Sequence, residues 1–279
     1  MILAPLRGVT IRCFRDVYAD EILSAGFTEA ITPFISAMRG VDPLKDRELD
    51  PRADKVSRIK ITPQFIGKDP EALRAALQRV KSAGYECADL NCGCPFPMVR
   101  NKGRGSGLLK TPDVLRRIVE VGVETMGEGK FSVKTRLGVD EPSELFSLID
   151  VLNEFPLRFL TVHGRIARQM YDGECDFKAI EKISRLSKNK VIANGDLDWR
   201  DGVGMVGRSF IRHLGEMDFS AEALRRYISA SRDELHGDRP VLGRMKELVS
   251  YWKDIPKWRS LWPLIKIARS ISEFESCIV

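Results

Sequence analysis

Eight short apolar runs, several rich in β-branched residues, alternate with stretches of helical periodicity over the first three-quarters of the chain, and no section holds strands alone. The runs cover 2–6, 30–34, 61–66, 87–91, 131–135, 159–163, 191–194 and 204–207. Strands separated by helices must run parallel, because each helix carries the chain back to the starting edge. Between them, 70–82 follows Asp69 and 112–125 follows Thr111, each opening on proline, the pattern of a helix start. Eight such units predict a TIM (β/α)8 barrel, with an open doubly wound sheet as the rival. Past residue 220 the strand pattern stops, and 221–230, 241–252 and 258–269 read as helices. The expected organisation is a barrel over 1–219 and a small helical domain over 220–279. At 279 residues and 43% hydrophobic content the chain can bury a core of that size.

One crossover is too short. Only nine residues, 195–203, separate the seventh run from the eighth, against 27 in the preceding crossover, 164–190. A crossover with its helix needs about 10–12 residues or more. The barrel is therefore expected to be trimmed around helix 7 and strand 8, with strand 8 displaced.

In barrels of this kind the reacting groups lie at the C-terminal ends of the strands. Polar residues fall there in this chain: Gln64 in the third run, Asn91 at the end of the fourth, Lys134 and Arg136 on the fifth, His163 on the sixth and Asn194 on the seventh. Burying such groups without partners costs about 1–3 kcal/mol each, so a shared polar ligand is expected.

Cys94 lies in the frame Asn91-Cys-Gly-Cys94-Pro95, with Arg100, Lys102 and Arg104 in the glycine-rich segment that follows. A packing cysteine ordinarily has apolar neighbours, whereas this one sits between glycine and proline at a strand end. Cys87, Cys92 and Cys94 lack the paired spacing or nearby histidine that zinc requires, so no metal is expected. Nucleophile and proton donor remain open for the thiol, with His163 the histidine positioned to serve a nucleophile.

Lys134 and Arg136 are two apart on one strand and share a face, which in a barrel turns inward or to the mouth. His163-Gly-Arg165 and Tyr171 add a ring, a guanidinium and a phenol after the sixth strand. Asn194-Gly195-Asp196 and Gly207-Arg208 follow the seventh and eighth strands, where barrels commonly hold a phosphate on backbone N–H groups.

The net charge of +6 permits a polyanionic partner without demanding one. The excess is concentrated late: residues 244–269 hold seven basic against two acidic side chains. The aromatic and basic residues Tyr251, Trp252, Lys253, Lys257, Trp258, Arg259 and Trp262 suit either a helical core with solvated lysines or an RNA-binding face. Six scattered cysteines do not form a disulfide framework, and the first residues lack a signal-peptide pattern. The expectation is a cytoplasmic protein, with no membrane partner, present as a monomer.

Taken together, Leu3-Ala-Pro5-Leu6, Asp89-Leu-Asn-Cys-Gly-Cys94-Pro95, Lys102-Gly-x-Gly-Ser-x-Leu108-Leu109, Lys134-x-Arg136-x-Gly138, His163-Gly-Arg165 with Tyr171 and Gly173, Asn194-Gly-Asp196 and Gly207-Arg208 resemble the tRNA-dihydrouridine synthases nearly end to end. Gly243-Arg-Met-Lys246-Glu-Leu-x-x-Tyr251 is similar to that family's helical domain. The resemblance implies an FMN enzyme that uses NADPH to reduce the C5–C6 double bond of uridines in tRNA. It implies Pro5 and Leu6 beside the flavin ring, Gln64, Asn91, Lys134 and His163 at its polar edge, and the phosphate on Asn194, Gly195, Asp196, Gly207 and Arg208. Flavin N5 would deliver hydride to C6 of an unstacked uracil, and Cys94 would protonate C5 from the other face. Arg100, Lys102, Arg104, Arg136, Arg165, Tyr171 and Lys246 would contact the substrate. Two alternatives stay open: an FMN barrel reducing a small pyrimidine or enone, and a non-catalytic RNA-binding relative whose shortened 195–203 segment weakens the FMN grip.

Overall fold

The computed structural model describes residues 1–278. Ten strand segments form one parallel sheet: β1 (Ile2–Leu3), β2 (Glu29–Ile31), β3 (Ile35–Ser36), β4 (Lys60–Thr62), β5 (Gln64–Ile66), β6 (Ala88–Cys92), β7 (Phe131–Gly138), β8 (Leu160–Ile166), β9 (Val191–Asn194) and β10 (Met205–Val206). The hydrogen-bonded order is β3-β5-β6-β7-β8-β9-β10-β1-β2-β4. Its two ends are halves of neighbouring staves: β2 and β3 follow one another along the second stave, β4 and β5 along the third. β2 pairs with β4 below and β3 with β5 above. Between them the Thr32 N–H donates to the Thr62 carbonyl at 3.0 Å and the Gln64 N–H to Thr32 Oγ1 at 3.0 Å, bridging the ladder at Pro63, which has no N–H to give. Eight staves therefore close on themselves, and the (β/α)8 barrel expected from the sequence is present.

Alternation along each stave sorts the side chains. Phe65, Leu90, Val133, Leu160 and Val162 join the outer core. Their neighbours Gln64, Asp89, Asn91, Ser132, Lys134, Thr161 and His163 fall on the opposite face, toward the barrel axis. Helices Pro70–Ser82, Pro112–Met126, Ser143–Leu152 and Phe177–Leu186 cover the outside of that half. Asp69 caps the first of these, accepting from the Glu71 and Ala72 N–H groups at 3.0 and 3.3 Å.

The short crossover carries a 3-10 turn, Trp199–Asp201, in place of helix 7, as the nine-residue spacing requires. Strand 8 is not displaced, contrary to expectation. Met205 pairs with Asn194 on one side and Ile2 on the other, so β10 completes the ring. Gly202 and Gly204, at φ +69° and +78°, make the tight turn possible, and a Cβ on Gly204 would lie 2.8 Å from the Ala193 carbonyl oxygen.

From Ser220 the chain is helical, with Ser220–Glu234, Asp238–Ser250, Pro256–Arg259, Trp262–Ile267 and Ile271–Cys277. These helices share one core with the first helix, Arg12–Val17, and with Arg208–Glu216. Trp252 and Trp258 are buried, donating from Nε1 to the Ile211 and Gly215 carbonyls at 2.7 Å each. Of the two roles open to the late aromatics, these two rings are core, and they cannot stack on nucleobases. No helix among the described residues is long and apolar enough to cross a membrane.

Candidate active site

The strand ends and following loops line a cleft of about 850 Å³, including the part open to solvent. Pro5, Leu6, Gln64, Asn91, Cys94, Lys134, Arg136, His163, Arg165, Tyr171, Asn194, Gly195, Asp196, Gly207 and Arg208 all line it, so fifteen candidate residues from seven staves converge.

A relay of hydrogen bonds fixes the thiol loop. Asp89, buried inside the barrel, accepts from Gln64 Nε2 at 2.8 Å and from Ser132 Oγ at 2.5 Å. Gln64 Oε1 accepts from Asn91 Nδ2 at 2.8 Å, and Asn91 Oδ1 accepts from the Gly93 and Cys94 N–H groups at 3.1 and 2.9 Å. The sense of each amide follows, because backbone N–H groups can only donate. Burial pushes the Asp89 carboxyl up to about 7, against the lowering effect of Ser132, Gln64 and Lys134.

Cys94 is 6% exposed. Burial raises its pKa above the ordinary thiol value, and the opposing influences are the Phe96 N–H, Arg7, Arg136 and Lys134. The group is therefore a thiol at neutral pH, suited to donate a proton. The cations that act on it are Arg7, Arg136 and Lys134, not those of the segment that follows it in sequence.

The glycine-rich segment folds back over Cys94. Ser106 donates to the Cys94 carbonyl from N at 3.2 Å and from Oγ at 2.9 Å. Gly105 has φ +57°, and a Cβ there would lie 2.8 Å from Cys94 Cβ; one on Gly107 would lie 2.3 Å from the Arg100 carbonyl oxygen. These glycines serve close packing.

Lys134 reaches across the mouth to Asn194, donating from Nζ to Oδ1 at 2.8 Å. Burial, then the neighbouring Arg136, lowers its pKa to about 8. Arg136, lowered by burial to about 10, donates to the carbonyls of Gly93, Ile166 and Met170 at 2.9, 3.2 and 2.7 Å. It ties the thiol loop to the loop after β8. Tyr171 lies under the Arg208 guanidinium, 3.9 Å from its centroid. Arg208 opens the helix Arg208–Glu216, whose N-cap Gly207 supplies no side chain. A Cβ on Gly207 would press Ala4 and Leu6 at 3.1 Å, and one on Gly195, at φ +135°, would lie 2.2 Å from Cys175 Sγ.

Four substrate candidates lie outside the cleft lining. Arg100 and Arg104 are half-buried and Lys102 exposed in the loop over Cys94. Lys246 Nζ caps the end of the helix Trp262–Ile267 by donating to the Lys266 and Ala268 carbonyls at 2.9 and 2.5 Å. Residues the sequence reading did not single out include Asp89, Arg7, Phe34 and Phe96. Asp89 stands within the Asp-Leu-Asn motif, and Arg7 directly follows Pro5-Leu6, so proximity to those motifs was the available signal.

The donor set fits a polar, anionic ring ligand with a phosphate. Among the described residues, Lys134, Arg7 and Arg208 face the cleft without a carboxylate within ion-pair distance, and the helix N–H groups beside Gly207 have no side-chain cap. Fold and site thus define a (β/α)8 barrel with a thiol and a cluster of cations at the C-terminal ends of its strands. The chain belongs to the dihydrouridine synthase family, whose model matches residues 2–206. It is 30% identical over 202 residues to tRNA-dihydrouridine synthase B of Vibrio vulnificus, a match spanning 71% of this chain and 60% of that protein. It is 31% identical over 212 residues to the tRNA-dihydrouridine(16) synthase of Shigella flexneri, across 72% of this chain and 65% of the relative. A probable tRNA-dihydrouridine synthase of Helicobacter pylori is 28% identical over 288 residues, spanning 91% of this chain and 83% of the relative. Among solved structures, the old yellow enzyme homologue of Zymomonas mobilis superposes with a TM-score of 0.55 at 13% identity, covering 76% of this chain and 85% of that one. Morphinone reductase gives 0.54 at 14% identity, covering 76% and 82%. At such identity these two share the fold.

Proposed function

We propose that this chain is a tRNA-dihydrouridine synthase that reduces the C5–C6 double bond of uridine in tRNA with FMN and NADPH. The observation that carries the reading is the buried, protonated thiol of Cys94 facing, within one cleft, the polar and cationic groups of Gln64, Asn91, Lys134, His163 and Asn194. Gln64, Asn91, Lys134 and His163 would hold the polar edge of FMN, with Pro5 and Leu6 beside its ring. Asn194, Gly195 and Asp196 would hold its phosphate with Gly207 and Arg208, and the intact register of β10 favours a working grip over a degenerate one. Reduced FMN supplies the hydride that adds to C6 of the uracil.

Cys94 then gives the Sγ proton to C5 and is left as a thiolate, which solvent reprotonates. Arg136 and Asn91 grip the two ends of the one peptide group that leads into the thiol residue, through the Gly93 carbonyl and the Cys94 N–H. Lys134 and Asn194 bridge the staves that face it.

We assign residues 1–219 to the catalytic barrel and 220–279 to a helical tRNA-binding domain. Arg100, Lys102 and Arg104 would meet phosphates next to the unstacked uridine, and Lys246 would act from within the helical domain. Arg136 and Arg165 would shape the uracil pocket through the loops they tie, and Tyr171 would line it.

The test is reduction of unmodified tRNA by the purified protein with FMN and NADPH. Dihydrouridine formation in tRNA, absent with free uridine or small enones, supports the reading. Turnover of the small molecules alone would replace it with the reductase alternative.

A further inference from the structure

Arg165 has no acceptor atom, so each of its hydrogen bonds is donated. Its Nη1 lies 3.2 Å from His163 Nε2. Nη1 carries two hydrogens, shared among Asp196 Oδ1, Cys175 Sγ and His163 Nε2; a bond to the ring takes the Nε2 lone pair, whereas an Nε2–H would face a group that can only donate, and a neutral imidazole with a bare Nε2 carries its proton on Nδ1. The guanidinium has little freedom to turn away. Nη1 and Nη2 grip the Asp196 carboxylate at 2.9 and 2.7 Å, Nε donates to the Asp172 and Gly173 carbonyls at 3.2 Å each, and Nη1 also meets Cys175 Sγ at 3.0 Å.

The surroundings oppose a second proton on the ring. Lys134, Arg136, Arg165 and Arg208 all bear on His163, and the carboxylate of the group, Asp196, is already paired with Arg165. Tyr171 is the neighbouring ring, its centroid 6.3 Å away. Burial first, and then these cations, holds the imidazole far below its ordinary pKa. His163 lines the cleft, and its Nδ1 makes no hydrogen bond to the chain among the described residues and is not sealed from solvent.

We infer that Arg165, braced by Asp196, is a positioning residue that fixes His163 as the neutral Nδ1–H tautomer, a hydrogen-bond donor into the cleft. The ligand atom that meets this edge is then an acceptor, a carbonyl oxygen or an unprotonated ring nitrogen, and a ligand offering N–H there is disfavoured. His163 does not supply the proton of the reaction, which leaves that task with Cys94. The inference deepens the proposed function by assigning a fixed role within the same site, but the tautomer itself is a property of the chain.

The chain has three histidines, His163, His213 and His236, so nitrogen-15 NMR of protein labelled at histidine resolves the question. The expected spectrum contains one imidazole with Nδ1 protonated and Nε2 bare, unchanged between about pH 5 and 8 and missing in His163→Asn. Arg165→Met should shift that signal to the Nε2–H form, and Arg165→Lys, which restores a donor, should return it at least in part. An Nε2–H or doubly protonated ring in the unmutated protein overturns the inference, as does an unchanged signal in Arg165→Met. Where Arg165→Met fails to fold, the unmutated spectrum decides. The readout needs neither FMN nor tRNA, so a wrong enzyme assignment would leave it intact.

Discussion

Asn91 Oδ1 accepts the Cys94 N–H at 2.9 Å and, with the Gly93 N–H on the same oxygen, couples the thiol loop to a carboxyl buried deep in the barrel. Asn91 is held by Gln64, and Gln64 by Asp89, so the position of the thiol depends on three side chains that never touch it. Asn91→Ala leaves the Gly93 and Cys94 N–H groups without acceptors, at about 1–3 kcal/mol for each buried donor. Denaturant unfolding should show that loss, together with uridine reduction at least tenfold slower than a loss of stability alone would give. Unchanged turnover would show that the relay does not position the thiol.

Asp89 carries a pH signature. Its folded pKa of about 7 lies above the ordinary value of 3.8, so the folded chain binds the proton more tightly than the unfolded one. Its contribution to stability is fully present below about pH 4 and is lost as pH rises through 7, by up to about 1.4 kcal/mol per pH unit. Asp89→Asn should flatten the stability profile in that window. Identical slopes for the two proteins would contradict a proton on Asp89.

Lys134 stands on the other side of the same argument. Its folded pKa of about 8 lies below the ordinary 10.5, so the folded state holds that proton less tightly and stability should rise as pH climbs from 8 toward 10.5. Lys134→Met removes the half-buried ammonium, and the ligand-free protein should become more stable by on the order of 1 kcal/mol. The same variant should bind FMN at least tenfold more weakly in a flavin fluorescence titration. A gain in stability with unchanged FMN affinity would separate Lys134 from the cofactor.

Gly105→Ala tests the fold-back over the thiol. A side chain at φ +57° costs about 1–2 kcal/mol before contacts, and the added Cβ meets Cys94. Thermal unfolding should fall by several degrees, and alkylation of Cys94 by iodoacetamide should quicken as the loop lifts. A neutral substitution would mean that the loop does not close over the thiol.

Much of this was readable in the sequence because periodicity and strand-end chemistry are local. The seventh stave falls at Val191–Asn194 and the crossover helix after the third stave at Pro70–Ser82, where the pattern places them. The second and third staves read as single runs, and each is broken in two, the third at Pro63, whose missing N–H interrupts the ladder. Strand 8 keeps its place despite the short crossover because Gly202 and Gly204 turn the chain tightly enough to close the ring, which a count of residues does not reveal. The roles of Arg136 and Arg165 were also hidden. A cation beside a pocket looks like a ligand contact until its carbonyl and carboxylate partners, distant in sequence, are in place. Asp89 went unassigned for the same reason, since its partner Gln64 lies 25 residues away on the neighbouring stave.

The most direct test of the account is Cys94→Ala, expressed in cells lacking this gene, with dihydrouridine mapped in their tRNA. The unmutated chain should restore dihydrouridine at one or more positions that the deletion leaves as uridine, and Cys94→Ala, though folded and binding FMN, should leave them unreduced. Restoration by Cys94→Ala at the level of the unmutated chain would contradict the thiol as proton donor, and an unchanged dihydrouridine map in the deletion strain would contradict the proposed function itself.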